Sequence, residues 1–170
     1  MQSSSVEQPP ASVGSNQDPH HILKAWIAAI LWLIVIAIES TSLLSANNTS
    51  RLLYPILRSL FGLDWDQFDR WHFFIRKGGH VFGYGLLSLL LFRAWRETLP
   101  AAGNSSWTFR WARIAVLGTA LVATLDEWHQ SFLPSRTGRW QDVVLDTSAG
   151  IAAQILVVLW MRCFQSRVAS

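Results

Sequence analysis

Asp126-Glu127-Trp128-His129-Gln130-Ser131-Phe132-Leu133-Pro134-Ser135-Arg136 closes one apolar run, and Asp142-Val143-Val144-Leu145-Asp146 opens the next. Ionisable side chains at the mouth of apolar helices are expensive, so they mark a functional site by default. At about 100° per residue, Asp126, Glu127, His129 and Gln130 share a helical face roughly 160° wide, and Trp128 points the opposite way. Asp142 and Asp146 stand one helical turn apart and share a face of their own. The short connection through Pro134 and Arg136 sets these two helices side by side, so the two faces can meet.

The rest of the chain fits that reading. Its 170 residues suffice for one domain. Hydrophobic residues make up 51% and charged residues 15% of it, against about 25% charged in an average soluble domain. The apolar residues are blocked rather than spread, which favours a membrane protein over a soluble bundle. A net charge of +3 without a basic, aromatic-laced stripe argues against nucleic acid as a partner. Cys163 is the only cysteine, so an intrachain disulfide is impossible. Trp95, Trp107, Trp111, Trp140 and Trp160 lie at or near ends of apolar runs, as an interfacial belt requires.

Taken in order, residues 1–21 read as a disordered tail without the basic start of a signal peptide. Residues 22–163 read as an all-α integral membrane domain of four transmembrane helices, and 164–170 as a short C-terminal tail. The spans are Ile22 to Ile38, Gly78 to Trp95, Ile114 to Leu125 with its flanks, and Val143 to Met161. Between the first two, Asn47 to Lys77 carries apolar residues at helical spacing among charges, which predicts one or two amphipathic helices lying in the interface. Gly79 and Gly83 form a small-xxx-small pair suited to close helix approach. Basic residues tie in number on the two sides of this arrangement. The short loop from Arg96 to Arg113, with four arginines in or beside it, breaks the tie toward N-in, C-in. Either orientation places Lys77, His80, the Asp126 group, Arg136 and Asp142 at one membrane face.

Candidate site residues are therefore Lys77, His80, Tyr84, Asp126, Glu127, His129, Gln130, Arg136, Asp142 and Asp146. Lys77 and His80 have a plain alternative as interface anchors, and Asp126 or Glu127 as members of ion pairs that pin helices together. Asp142 suits the N-cap of the fourth span; Asp146, one turn inside, is not explained by capping. Arg136, between two carboxylate-bearing helix ends, is expected to be the principal partner of the cluster. The cluster holds legitimate metal-ligand types, yet no His-Glu-x-x-His, P-loop, dinucleotide or Gly-x-Ser-x-Gly pattern is present, so neither metal nor cofactor is assigned.

At these residues the chain resembles the VanZ-like family of small bacterial membrane proteins. The resemblance rests on a first span ending in Glu39, Ser40 and Ser42, then Lys77-x-x-His80-x-x-x-Tyr84. Asp126-Glu127-x-His129-Gln130, Phe132, Pro134, Arg136, and Asp142-x-x-x-Asp146 with Gly150 complete it. The family usually has Asn where this chain has Asp146. Named for a protein associated with teicoplanin resistance, it implies a role at the cell envelope in the bacterial inner membrane. The expected partners are membrane lipids, with an envelope lipid or a glycopeptide-related ligand at the polar cluster. Two rivals stay open: an intramembrane enzyme using the Asp/Glu/His cluster as acid and base, and a structural or partner-binding bundle.

Overall fold

The computed structural model of the chain describes residues 18–99 and 109–168. They form five α-helices and one 3-10 turn, with no strand among the described residues. Helix α1 (Pro19–Ser40) starts at Asp18, whose carboxylate accepts the His20 backbone N–H at 3.0 Å; Pro19 fills the first helical position, where no N–H is needed. Its buried residues Ala25, Ala29, Ile36 and Ser40 follow one stripe. The 3-10 turn Ser42–Leu44 leads into α2 (Ala46–Phe61), a strongly amphipathic helix that buries none of its residues. Gly62 ends α2 at φ 66°, a left-handed conformation open to glycine at little cost.

Helix α3 (Trp65–Thr98) begins three residues later with a reciprocal cap. Asp64 accepts the Gln67 N–H at 2.8 Å, and the Gln67 side chain accepts the Asp64 N–H at 3.3 Å. Its first turns carry α2 through a Thr49–His72 hydrogen bond of 2.9 Å and the packing of Tyr54 on Trp65 and Phe68. Its later turns are the hub of the bundle, packed against α1, α4 (Phe109–Ser131) and α5 (Trp140–Val168). The core joins Ala29 and Ile36 to Tyr84, Leu87, Leu91, Phe92, Trp111, Ala112, Ala115 and Ala123. The inward stripe of α4 runs from small to polar: Ala112, Ala115, Thr119 and Ala123, then Glu127 and Gln130.

Helices α3 and α5 run parallel and in register. Lys77 meets Asp142, His80 meets Asp146, and Ser88 meets Gln154, at sequence separations of 65, 66 and 66. Close approach comes from glycines other than the expected pair. A Cβ added at Gly79 or Gly83 would meet nothing within 4 Å, whereas at Gly150 it would lie 3.0 Å from Thr119 Cγ2, and at Gly118 3.2 Å from Leu91 Cδ1. Gly83 serves α1 differently: its carbonyl accepts the Trp32 Nε1–H at 2.8 Å.

Other expectations shift at their edges. The second interfacial segment and the second span form one continuous helix of 34 residues, because Gly78 and Gly79 sit inside α3 without breaking it. Of the expected N-terminal tail, residues 1–17 lie outside the described residues and 19–21 open α1; α5 continues past residue 163 to Val168. Of the second loop, residues 100–108 lie outside the described residues. Among the described residues two helices, Pro19–Ser40 and Trp140–Cys163, are clearly long and apolar enough to cross a membrane. Glycines, His80 and Arg93 dilute α3, and Arg110, Arg113, Asp126 and Glu127 leave only a short charge-free stretch in α4.

Candidate functional site

The middle turns of α3, the C-terminal end of α4 and the N-terminal end of α5, with the connection Phe132 to Arg139, enclose the site, and the C-terminus of α1 closes one side. Lys77 donates to Asp142. One turn deeper, His80 Nδ1 lies 3.2 Å from Asp146 Oδ2. Tyr84 donates to Asp126 Oδ2 at 2.8 Å, and Gln130 donates to the same oxygen at 3.1 Å. The His80 and Tyr84 rings stack at 6.1 Å, as their four-residue spacing requires. Seven of the ten predicted residues thus join in direct side-chain pairs at one end of the bundle.

The other three are held differently from the sequence expectation. Glu127 is 5% exposed, and its Oε2 accepts the Arg139 backbone N–H at 2.7 Å. The turn that brings this N–H in depends on Gly138, where an added Cβ would lie 2.3 Å from the Glu127 carbonyl oxygen. His129 turns outward to α1, its Nδ1 3.2 Å from Ser40 Oγ. Arg136 takes no carboxylate: its Nη2 donates to the backbone carbonyls of Glu39 and Thr41, the latter at 3.0 Å. These carbonyls belong to the C-terminal end of α1, Glu39 in its last turn and Thr41 as its C-cap, a partner that pairing charges along a sequence cannot reveal. Asp142 lies in the first turn of α5 and pairs with Lys77, so it is not the N-cap.

Arg76, Lys77, Arg136 and Arg139 line a cavity of about 190 Å³ whose only carboxylate is Asp142. Arg76 donates to the Leu44 carbonyl at 2.9 Å, so it and Arg136 are anchored by neutral oxygens, with carboxylates acting on them only from a distance. Burial pulls both guanidinium groups below their usual value, and the Arg136 charge lowers Arg76 further. Glu39 opposes the effect at both, Asp142 at Arg76, and Asp126 and Glu127 at Arg136. Guanidinium remains protonated throughout. A crowded, partly buried set of permanent cations is what an anionic group would relieve.

Four polar atoms at or near this cavity are buried without a hydrogen-bond partner among the described residues: Glu127 Oε1, Ser135 Oγ, Arg136 Nε and Asp146 Oδ1. Asp146 is fully buried. Such groups are rare enough in folded proteins to need an explanation. Below them lies a neutral layer absent from the sequence reading. Gln154 donates to the Ser88 carbonyl at 3.0 Å and to Ser88 Oγ at 2.9 Å, and Ser88 Oγ donates to the Gly150 carbonyl at 3.1 Å. The signal was available: Gln154 continues the four-residue series of Asp142, Asp146 and Gly150, and Ser88 that of His80 and Tyr84. Arg76 carries no comparable spacing signal.

An all-helical bundle with two strongly apolar helices and a polar, basic cluster at one end belongs to the class of helical membrane proteins. The VanZ/LLP1 family model matches residues 25–161, and the chain belongs to that family. The family points to a cell-envelope membrane protein associated with glycopeptide resistance. No curated protein and no solved structure matches the chain.

Proposed function

We propose that the protein is a multi-pass protein of the bacterial inner membrane that binds the anionic headgroup of an envelope lipid at its basic mouth. In this reading α1, α4, α5 and the part of α3 after Gly78 cross the bilayer as one domain over residues 22–163. Both termini are cytoplasmic, and the mouth faces the outer leaflet. The observation that carries it is the cavity ringed by Arg76, Lys77, Arg136 and Arg139 with Asp142 as its one carboxylate. Arginine there can present spare donors to a phosphate while one edge stays fixed on backbone carbonyls. Asp142 holds Lys77 toward the mouth, and the α1 carbonyls do the same for Arg136.

Two experiments test this. Purification in detergent followed by lipid identification should find an acidic phospholipid that the double variant Lys77→Ala/Arg136→Ala no longer retains; unchanged retention overturns the headgroup site. Periplasmic reporters fused at Ser105 and Arg136 should be silent and active respectively, and the reverse pattern inverts the topology.

A second reading draws on the unpartnered Glu127 Oε1 and Asp146 Oδ1. A buried carboxylate with a free oxygen, within a cluster that includes His80, suits acid–base chemistry. Under it, Glu127→Gln abolishes turnover of an added envelope substrate while folding and lipid retention persist.

A further inference from the structure

Two apolar grooves of similar size mark the bundle, and only one of them connects with the basic mouth. The first, about 460 Å³, runs between α1 and α4 and is walled by Leu33, Ile36, Ala37, Val122 and Leu125. It exists because α1 packs along α3 and touches α4 only sparsely. The second, about 390 Å³, runs between α4 and α5 past Val116, Leu117, Ile151 and Ile155. Both fall within the roughly 300–1,000 Å³ typical of small-molecule sites, so size does not distinguish them.

Continuity does. The α1–α4 groove ends in Ser40, Asp126 and His129. Ser40 and Asp126 also line a narrow gap of about 20 Å³ together with His80, Tyr84 and Gln130. His80 and Gln130 in turn line the basic cavity. Hydrocarbon walls thus give way to hydroxyl, imidazole and carboxylate, and then to a ring of cations. The α4–α5 groove shares no lining residue with that cavity.

We infer that the α1–α4 groove seats one acyl chain of the same acidic glycerophospholipid whose headgroup occupies the basic mouth. The inference rests on the headgroup reading above and deepens it. The order of surfaces matches the order of parts in such a lipid: chain, polar backbone, phosphate. The Ser40–His129 contact at 3.2 Å caps the groove where the lipid turns from chain to backbone. Asp126, held by Tyr84 and Gln130, marks the polar end of the groove.

The test compares two probes on the purified full chain in detergent: dioleoyl phosphatidylglycerol, and sn-glycerol-1-phosphate, which has the anionic group and no chain. Ala37→Trp fills the α1–α4 groove. It should weaken phosphatidylglycerol binding about tenfold, the effect of losing about two buried methylenes, while glycerol phosphate binding stays within about twofold. Val122→Phe repeats the obstruction from the α4 side, in case the tryptophan disturbs folding. Leu117→Trp, in the α4–α5 groove, should change neither probe. Wild-type phosphatidylglycerol binding in both groove variants, with loss in Lys77→Ala/Arg136→Ala, overturns the chain assignment and leaves the headgroup site standing. Undiminished binding of both probes in that double variant overturns the headgroup reading itself. Loss in Leu117→Trp alone moves the chain to the other groove and overturns the inference.

Discussion

The two ends of the α3–α5 seam are built from different chemistry on the same geometry. Near the mouth the rungs are ionisable, Lys77 on Asp142 and His80 on Asp146; deeper they are neutral, Gln154 on Ser88 and Ser88 on Gly150. Registration is nearly constant along the seam, so depth is what varies. A charge costs more toward a bilayer centre than toward its edge, whereas an amide–hydroxyl pair costs little once satisfied. On the proposed headgroup reading, the seam places charge where the ligand binds and uses hydrogen bonds alone where only packing is at stake. Asp146 is the exception, since it is fully buried and one of its oxygens is unpartnered.

That contrast predicts its largest stability effect at Asp146. Asp146→Ala strands the imidazole of His80 and should cost roughly 3–5 kcal/mol, the usual result of removing one partner of a buried pair. Asp146→Asn keeps an acceptor for His80 and should stay within about 1 kcal/mol. Thermal melts of both variants in one detergent check this, and equal losses would place Asp146's importance in its charge rather than its hydrogen bond.

Next in size is the arginine that ties α1 to the loop. Arg136→Ala should cost about 1.5–3 kcal/mol, the range for hydrogen bonds made by a charged group. Arg136→Lys should recover only part of it, because one ammonium cannot copy the planar fork. The exposed Arg139 should tolerate alanine within about 0.5 kcal/mol, since what Glu127 grips is its backbone N–H. Equal melts for the Arg136 and Arg139 alanine variants would show that the contact with α1 contributes nothing to stability.

The deep, neutral end should respond less. Gln154→Leu loses two hydrogen bonds to Ser88 but also removes an unpartnered buried carbonyl oxygen, so about 1 kcal/mol is expected in the same melts. A loss as large as that of Asp146→Ala would erase the distinction between the two ends.

The smallest expected effect lies away from the seam. His72, buried between α2 and α3 and bonded to Thr49, has its pKa lowered by burial and then by the Arg76 charge, with Asp69 opposing. The undocked state then binds the proton more readily. Docking of α2 is at full strength above the ordinary histidine value of about 6.5 and weakens as pH falls below it. Amide-exchange protection of Ala46–Phe61 should drop between pH 7.5 and pH 5, and the drop should vanish in His72→Asn. Unchanged protection in the wild type would show that His72 does not gate the contact.

Much of this arrangement was legible in the sequence, because the side chains that mattered recur at helical spacing. Asp142 and Asp146, His80 and Tyr84, and Asp126 and Gln130 each sit four residues apart, and each pair does share a face. What stayed hidden has physical reasons. Backbone carbonyls carry no residue identity, so the seating of Arg136 on Glu39 and Thr41 could not be read. Gly78-Gly79 reads as punctuation, yet a penalty of about 1 kcal/mol per glycine is small beside the packing that holds α3 on both sides of it. Small residues pack according to the opposing surface, so the crowding at Gly150 and Gly118 rather than at Gly79 depends on where Thr119 and Leu91 lie.

The continuity of α3 also fixes a length. Its 34 residues rise about 51 Å at 1.5 Å each, while the hydrocarbon layer of a bilayer is about 30 Å thick. On the proposed four-span arrangement, about 20 Å of this one rod must stand outside the hydrocarbon or be absorbed by leaning. The surplus is amphipathic: Trp71, Phe73, Phe74 and Ile75 are exposed on it beside Asp66, Asp69 and Arg70. A thicker bilayer would cover those rings and let the rod stand upright, and a thinner one would favour tilt. Because α2 is fastened to the same turns, on that arrangement its angle to the membrane plane would follow the thickness of the lipid around it.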